Sequence, residues 1–496
     1  GQGSARVMAV PSREIRRREI ASPEEARRVY GVDFVLAGTA EENGSGVRFR
    51  IRLIDSAEAR ETGAATFDYQ PSNPAAGRQR ATAEAAKLLH LEVAAAADKA
   101  GAEPGASDAF AAYLEARGFM ARFEVPGSGN LDKAIAAYER ATERDPKFAL
   151  AWAGLGEAWW RRSRAGGGKE AADKARSSAE RGVQLGPNLA MTHAILGAVY
   201  STAGKQEEAT AELRKALRIS PENADAAREL ARLLARAGRR KDAEASYLAS
   251  IRSRPTDWYG YLLLGLFYYS GEQYQEAEAA LKRAIKLAPA NEIALRDLGG
   301  IYMVQGRYPE ALEALQRSLK NHQASRTYMS LATTYFYMHR FREASTAGET
   351  AVDLDPSRHD HWGNLGIFYK WTPGSESRSE AALRKAVELA EKRLLGTPGD
   401  SSVYADLAEY RARLGDKAGS MAAIEKIPQA ARQGVASRLA IAYELCGNRT
   451  QAVEFLRSTV KNAATLSLIR DDPDLAGLWA DARFQQAIAA VLKSKA

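Results

Sequence analysis

Cysteine is almost missing from this chain of 496 residues: Cys446 stands alone. A lone thiol excludes an intramolecular disulfide framework and a cysteine-built zinc site. It sits in "AYELCGN", at the expected end of a helix, where a small half-buried residue is expected. Long apolar runs are missing too, and none approaches the roughly 20 residues that a membrane-crossing helix needs. No charged start followed by an apolar stretch marks a secretory leader. Opening at Gly1, the chain reads as a fragment or processed form.

Charge of one sign is equally scarce. The 70 Lys and Arg against 62 Asp and Glu leave a formal +8, a mild excess rather than the clustered stripe of a nucleic-acid binder. The densest basic run, "REIRRRE" at 13–19, is interrupted by glutamates and reads as a solvated surface. Nucleic acid is therefore not an expected partner, nor is direct insertion into a membrane. Catalytic signatures are lacking as well: no kinase-type Gly-rich loop, Val-Ala-Ile-Lys, His-Arg-Asp or Asp-Phe-Gly is present. "RAGGGKEA" lacks the spacing of a phosphate loop and has no strand before it, so it reads as a loop between helices. His359 and His361 in "HDHW" are two residues apart, which points the rings in different directions on a helix. They are expected at the surface or as helix caps, not as a metal pair. Glu207 and Glu208 are expected on a solvent-facing helix. No catalytic residue, cofactor or metal site is assigned.

What the chain does have is a period. After residue 106 alanine, glutamate, arginine and leucine dominate, which favours helix. The length is too great for one ordinary core unless the core grows along one axis. "HAILGAVYSTAGKQEEATAELRKALRISP" (193–221) places Leu196, Gly197, Tyr200, Ala209, Leu213, Ala216 and Pro221. The pattern returns as Leu230, Ala231, Leu234, Ala243, Tyr247 and Pro255, and again as Leu264, Gly265, Tyr268, Ala277, Leu281, Ala284 and Pro289. It continues through Leu298, Gly299, Tyr302, Ala311 and Leu315, then Leu331, Ala332, Tyr335, Ala344, Ala351 and Pro356. An earlier unit holds Trp152, Leu155, Gly156 and Trp159, with "RRSRAGGGKEAAD" expected as a longer loop before a second helix resuming at Ala175. A degenerate unit precedes these after residue 106, and later units start at His359, at Ser401 and near Gln433, giving about nine in all. This code resembles the tetratricopeptide repeat, a helix-turn-helix of about 34 residues. The resemblance implies a mainly α fold, a right-handed superhelix over 107–460. The ending, 461–496, is expected to be a helical cap.

The first hundred residues change period. "VDFVLAGTA" (32–40), "VRFRIRLIDS" (47–56) and "GAATFDY" (63–69) read as strands, with "ENGSG" as a hairpin turn. "SPEEARRVYG" reads as a short helix capped by Ser22, a second helix is expected over 74–90, and "ARVMAVPS" reads as one more strand. The stretch "YGVDFVLAGTAEENGSGVRFRIRLIDSAEARETGAATFDY" resembles the amino-terminal α/β domain of TolB, and "RDDPDLAGLWADARF" resembles the ending of the same proteins. Two departures stand out: the family's earlier strand and helix are missing, and Ala65 or Thr66 replaces its third-strand tryptophan. The organisation is thus a small, truncated α/β domain over 1–93, a linker over 94–106, the solenoid and the cap. The resemblance implies the non-catalytic half of bacterial membrane-linked serine/threonine kinases, adenylate cyclases or transcription regulators. It also implies an extracytoplasmic position, with the cytoplasm as the alternative.

In such repeats the first-helix side chains that turn away from the second helix line a concave groove. Counting along each unit puts Trp160, Arg161, Tyr259, Leu266, Tyr269, Met303, Phe336, Tyr337, Lys370 and Trp371 there. An aromatic trough fits a protein or peptide partner, with Arg161, Arg296, Arg326 and Lys370 favouring acidic residues. The positions of a chaperone-tail clamp carry Ala153, Ala194, Ala198 and Leu262, which disfavours that ligand. An interaction scaffold or sensory module is the expected function. A self-associating structural protein is the alternative, and an enzyme with an unrecognised site is a third reading.

Overall fold

The computed structural model describes residues 22–30, 32–43, 46–69, 74–90, 107–120, 129–459 and 463–493. The strand read in "ARVMAVPS" and the linker at 94–106 lie outside them. The chain forms two compact units, residues 1–271 with 283–289, and residues 272–282 with 290–496.

The first unit begins with helix α1 (Pro23–Tyr30), where Ser22 Oγ accepts the Glu25 backbone N–H at 3.2 Å. An antiparallel meander follows, β1 (Phe34–Asn43), β2 (Gly46–Asp55) and β3 (Arg60–Tyr69), in the order β1-β2-β3. Alternation along β2 turns Ile51 and Leu53 inward and Arg48 and Arg50 outward, as a half-solvated antiparallel sheet requires. Helix α2 (Pro74–Leu88) packs on β3 and β2. These elements match the three strands and two helices read from the sequence.

Nine helix pairs, each within one unit, follow among the described residues. They are α3 (Ser107–Met120) with α4 (Asn130–Arg144), α5 (Ala149–Arg162) with α6 (Gly168–Leu185), and α7 (Ala190–Thr202) with α8 (Gln206–Ile219). Next comes α9 (Ala224–Arg236) with α10 (Arg240–Ser253); α11 (Trp258–Ser270) and α12 (Tyr274–Leu287) follow in the chain, and then α13 (Glu292–Val304) pairs with α14 (Tyr308–Asn321). The last four are α15 (Ser325–Tyr337) with α16 (Phe341–Leu354), α17 (His359–Lys370) with α18 (Glu376–Gly396), α19 (Ser401–Arg413) with α20 (Lys417–Glu425), and α21 (Ala436–Leu445) with α22 (Arg449–Thr459). Three short helices close the chain: α23 (Ala463–Asp471), α24 (Ala476–Trp479) and α25 (Ala482–Lys493).

Local chemistry sets these boundaries. At four junctions a proline follows the second helix, and two residues later an Asx side chain caps the next first helix. Asn223, Asp257, Asn291 and Asp400 each accept an N–H of the following turn, an interaction worth about 1 kcal/mol per cap. The turn inside each pair needs one left-handed residue. Gly204, Gly238, Gly306, Gly415 and Gly447 supply it, while Glu272 and His339 take the same conformation without being glycine.

In the pairs α7–α8, α13–α14 and α17–α18 the helices meet through a glycine. A Cβ on Gly197 would lie 2.6 Å from Leu213 Cγ, and one on Gly299 or Gly366 would lie 2.7 Å from Leu315 or Leu383 Cγ. Leu213 and Leu315 are wholly buried, so the repeat's glycine and leucine form one interlocking contact. Gly299→Val is expected to cost about 2 kcal/mol by overpacking, and Leu315→Ala about 3 kcal/mol by leaving a cavity. The double variant should cost clearly less than the sum, because the alanine vacates the space that the valine needs. Urea denaturation of the four proteins measures this, and strict additivity would show that the two positions do not touch.

One expected loop is wound instead. Ser163–Gly167 continue α5 as a π-turn with a kink at Gly166 (φ 98°), and α6 begins at Gly168 rather than near Ala175. The insertion is absorbed by widening and lengthening helices, because its polar residues still satisfy their backbone groups helically.

Candidate functional site

In the first unit, α11 carries the most exposed of the expected groove residues. Tyr259, Leu266 and Tyr269 are 37%, 38% and 40% exposed. Seven and ten residues apart at 3.6 per turn, they share one face of the helix. Behind them Trp258, Leu262 and Phe267 are buried. The Tyr259 ring lies edge-on to Trp258 and 5.3 Å from the Arg228 guanidinium. Arg228 is itself buried between Asp225 and Asp257. Trp160 is half-buried, donates Nε1–H to Thr202 Oγ1 at 2.7 Å, and faces the Arg164 guanidinium at 5.3 Å.

In the second unit the expected groove residues meet a different fate. Segment 471–475, with the chain order Asp-Asp-Pro-Asp-Leu, lies on them. Lys370 Nζ is 2.8 Å and Trp371 Nε1 is 3.2 Å from Asp474 Oδ1, and Arg413 Nη1 is 2.7 Å from Asp474 Oδ2. Tyr308 donates its hydroxyl to Asp471 Oδ2 at 2.6 Å, and its ring stacks on Tyr337 with centroids 6.4 Å apart. Trp371 stacks in turn on Phe341. Arg413 also bonds Glu409 at 2.7 Å, and the Arg413 and Asp474 side chains are each only 2% exposed.

These contacts set the ionisation of the segment. Burial alone would raise Asp474, but the Arg413 and Lys370 charges outweigh it and hold the carboxyl low. Asp471 is held low in the same way, with Arg470 and Tyr308 outweighing burial. Asp472 behaves oppositely. Burial, reinforced by the Asp474 charge, pushes it up to about 7. Burial likewise pushes the Tyr337 hydroxyl well above its ordinary range.

Three expectations need correction. Phe336 is only 4% exposed and packs between Phe341 and Phe368, so it is a core ring between repeats and does not line a groove. The basic lining is largely neutralised by the chain's own acids: Arg161 pairs with Glu157, Arg296 with Asp297 and Lys370 with Asp474. Arg326 and Lys370 are the exposed members of the four, and of these Arg326 makes no ion pair among the described residues. His359 and His361 are buried, not superficial, because the first turn of α17 tucks under Tyr410 and Asp406. Met303 is half-buried near the end of α13.

The sequence reading missed Tyr308, Arg413, Asp471 and Asp474. A signal existed: Arg413 stands two residues before left-handed Gly415, as Tyr337 stands two before left-handed His339. Equivalent first-helix ends therefore face the same segment. Among the described residues, no three His, Cys, Asp or Glu side chains gather as metal ligands. No helix among them is long and apolar enough to cross a membrane. Cys446 is half-buried at the end of α21.

Comparison with known proteins assigns the repeat. Residues 127–189 and 262–326 match one tetratricopeptide-repeat family, and residues 202–259 match a second. The repeats in these stretches are therefore tetratricopeptide repeats, and the structure is mainly helical with a small three-stranded sheet before the repeats. No curated protein matches the chain. Among solved structures, the APC/C hetero-tetramer of Cut9 and Hcn1 is similar at 17% identity and TM-score 0.40, over 59% of this chain. The chain spans 54% of that protein's length. PilF of Pseudomonas aeruginosa is similar at 20% identity and TM-score 0.36, over 45% of this chain and 97% of its own. A tetratricopeptide repeat protein of Parabacteroides merdae is similar at 14% identity and TM-score 0.39, over 53% and 98%.

Proposed function

We propose that this chain is a protein–protein interaction scaffold of a bacterial signalling or envelope assembly, holding a partner's extended or helical segment against its first-helix faces. The observation that carries the reading is the α11 face, where Tyr259, Leu266 and Tyr269 stay exposed on one side of a helix whose other side is core. Aromatic rings in such a place lose water on binding at little entropic cost, and each can contribute about 2 kcal/mol. Trp160, with Arg161 beside it, extends the aromatic and basic character of the same unit. In the second unit Met303, Tyr337, Lys370 and Trp371 belong to the proposed surface through the segment that now lies on part of it. The bacterial signalling context rests on the resemblance of residues 30–69 to the TolB amino-terminal domain, which the β1-β2-β3 meander and α2 support.

Replacing Tyr259, Leu266 and Tyr269 together by alanine is expected to lower partner capture in a pull-down at least tenfold. The thermal transition should move little, since all three side chains are already partly solvated. An unfolded triple variant would show that these rings are core. A folded one that retains every partner would remove α11 from the binding surface.

A further inference from the structure

In the second unit, segment 471–475 is held as a peptide ligand is held. Its acids are received by side chains from three repeats: Tyr308 at the start of α14, Lys370 and Trp371 at the end of α17, and Arg413 at the end of α19, with the Tyr337 ring stacked on Tyr308. We propose that this segment is an internal occupant of a carboxylate-binding trough, displaceable by an extended acidic peptide of the order Asp-x-Pro-Asp-apolar on a partner protein. The proposal rests on the scaffold reading above and commits it to a ligand class.

Two observations separate this trough from an ordinary helical cap. Capping requires only that the apolar end of the last repeat be covered, and Leu475 at the end of the segment shares that task with the residues after it, whereas the acids do not. Leu478 and Phe484 are wholly buried in one cluster with Leu439 and Leu456, and α25 packs on α22. The acidic segment instead reaches Tyr308, 163 residues earlier in the chain. The second observation is chemical. Three N–H donors from Lys370, Trp371 and Arg413 converge on the two oxygens of Asp474. Such a fork selects a carboxylate, since a neutral side chain would leave the buried Arg413 with Glu409 alone and take from Lys370 its counter-charge.

The present occupant is also an imperfect fit. Asp472 is buried beside Asp474 and Glu409, gives one oxygen to the Asp474 backbone N–H at 2.9 Å, and makes no ion pair among the described residues. A competing peptide with a neutral residue at that place keeps the Asp474-like anchor and loses the repulsion. Self-occupancy by a compromised sequence leaves room for a better one to displace it.

The test uses the full chain with Asp471→Asn and Asp474→Asn, and a fluorescent peptide of residues 468–476 read by anisotropy at low salt. The doubly substituted protein should bind the peptide at least tenfold tighter than the native chain does. A peptide with asparagine at the Asp472 position should bind tighter still, and one with all three acids replaced should not bind. A folded variant, cooperative in its melt, that binds the acidic peptide no better than the native chain overturns the proposal. If the variant does not fold, native-state hydrogen exchange on the unmodified chain decides. Amides of 471–475 opening well before those of α19 support an exchangeable occupant, and equal protection overturns it. No outside partner takes part, so failure here leaves the α11 surface standing, and failure there leaves this trough standing.

Discussion

Arg413→Met is expected to destabilise the second unit by about 3–5 kcal/mol, the usual cost of breaking a buried ion pair from one side. The arginine is the shared counter-charge of two carboxylates. Its Nη1 meets Asp474 and its Nη2 meets Glu409, both at 2.7 Å, with the side chains 2% and 8% exposed. Methionine matches the volume but leaves Glu409 without a cation and Asp474 with Lys370 alone. Arg413→Lys should recover only part of the loss, because one ammonium cannot bond both acids in the planar fork that a guanidinium offers. Repeat arrays need not unfold in one step. Local opening of α17, α19 and segment 471–475 by hydrogen exchange is therefore the sharper measurement. A loss below about 1 kcal/mol would mean that water reaches the pair, since that is the scale of an exposed one.

The repeat was legible because its code is a packing code. Gly197, Gly299 and Gly366 are small since Leu213, Leu315 and Leu383 occupy the place of their missing Cβ, and such contacts recur at a fixed spacing. The trough was half legible. Tyr337, Lys370 and Trp371 were placed on the first-helix face by the same counting, yet their present ligand was not foreseeable from periodicity. "RDDPDL" has no period, and its partners stand as far as 163 residues away. Phe336 was misplaced because one step along a helix turns a side chain by about 100°, enough to carry it from the groove into the space between repeats. The buried histidines of α17 escaped for a similar reason, since tertiary packing, not the first-turn position, decides exposure.

Asp472→Asn is expected to stabilise the protein by about 2 kcal/mol at pH 8 and by nothing at pH 4. Burial, then the Asp474 charge, raise the native carboxyl from the ordinary 3.8 to about 7. A carboxyl raised on folding holds its proton more tightly in the folded chain than in the unfolded one. Its contribution is therefore most favourable below about pH 4, falls as pH rises towards 7, and is level above that. The full span of such a shift is about 4 kcal/mol at 1.36 kcal/mol per unit, and relaxation around the charge reduces it. Asparagine keeps the oxygen that accepts the Asp474 N–H and cannot ionise. Other groups titrate in the same range. Burial lowers His359 and His361, so both favour the fold at higher pH and oppose it as pH falls below their ordinary 6.5. Asp406, pushed by burial to about 7, follows the direction of Asp472. Asp471 and Asp474, held low, add stability that is lost only as acid protonates them. All of these except the close neighbour Asp474 should be nearly the same in both proteins, so the difference curve isolates position 472. Urea denaturation from pH 4 to 8 should show that difference growing between about pH 4 and 7 and then holding constant. A flat difference would mean that Asp472 is solvated when charged, and the repulsion that weakens the internal occupant would not exist.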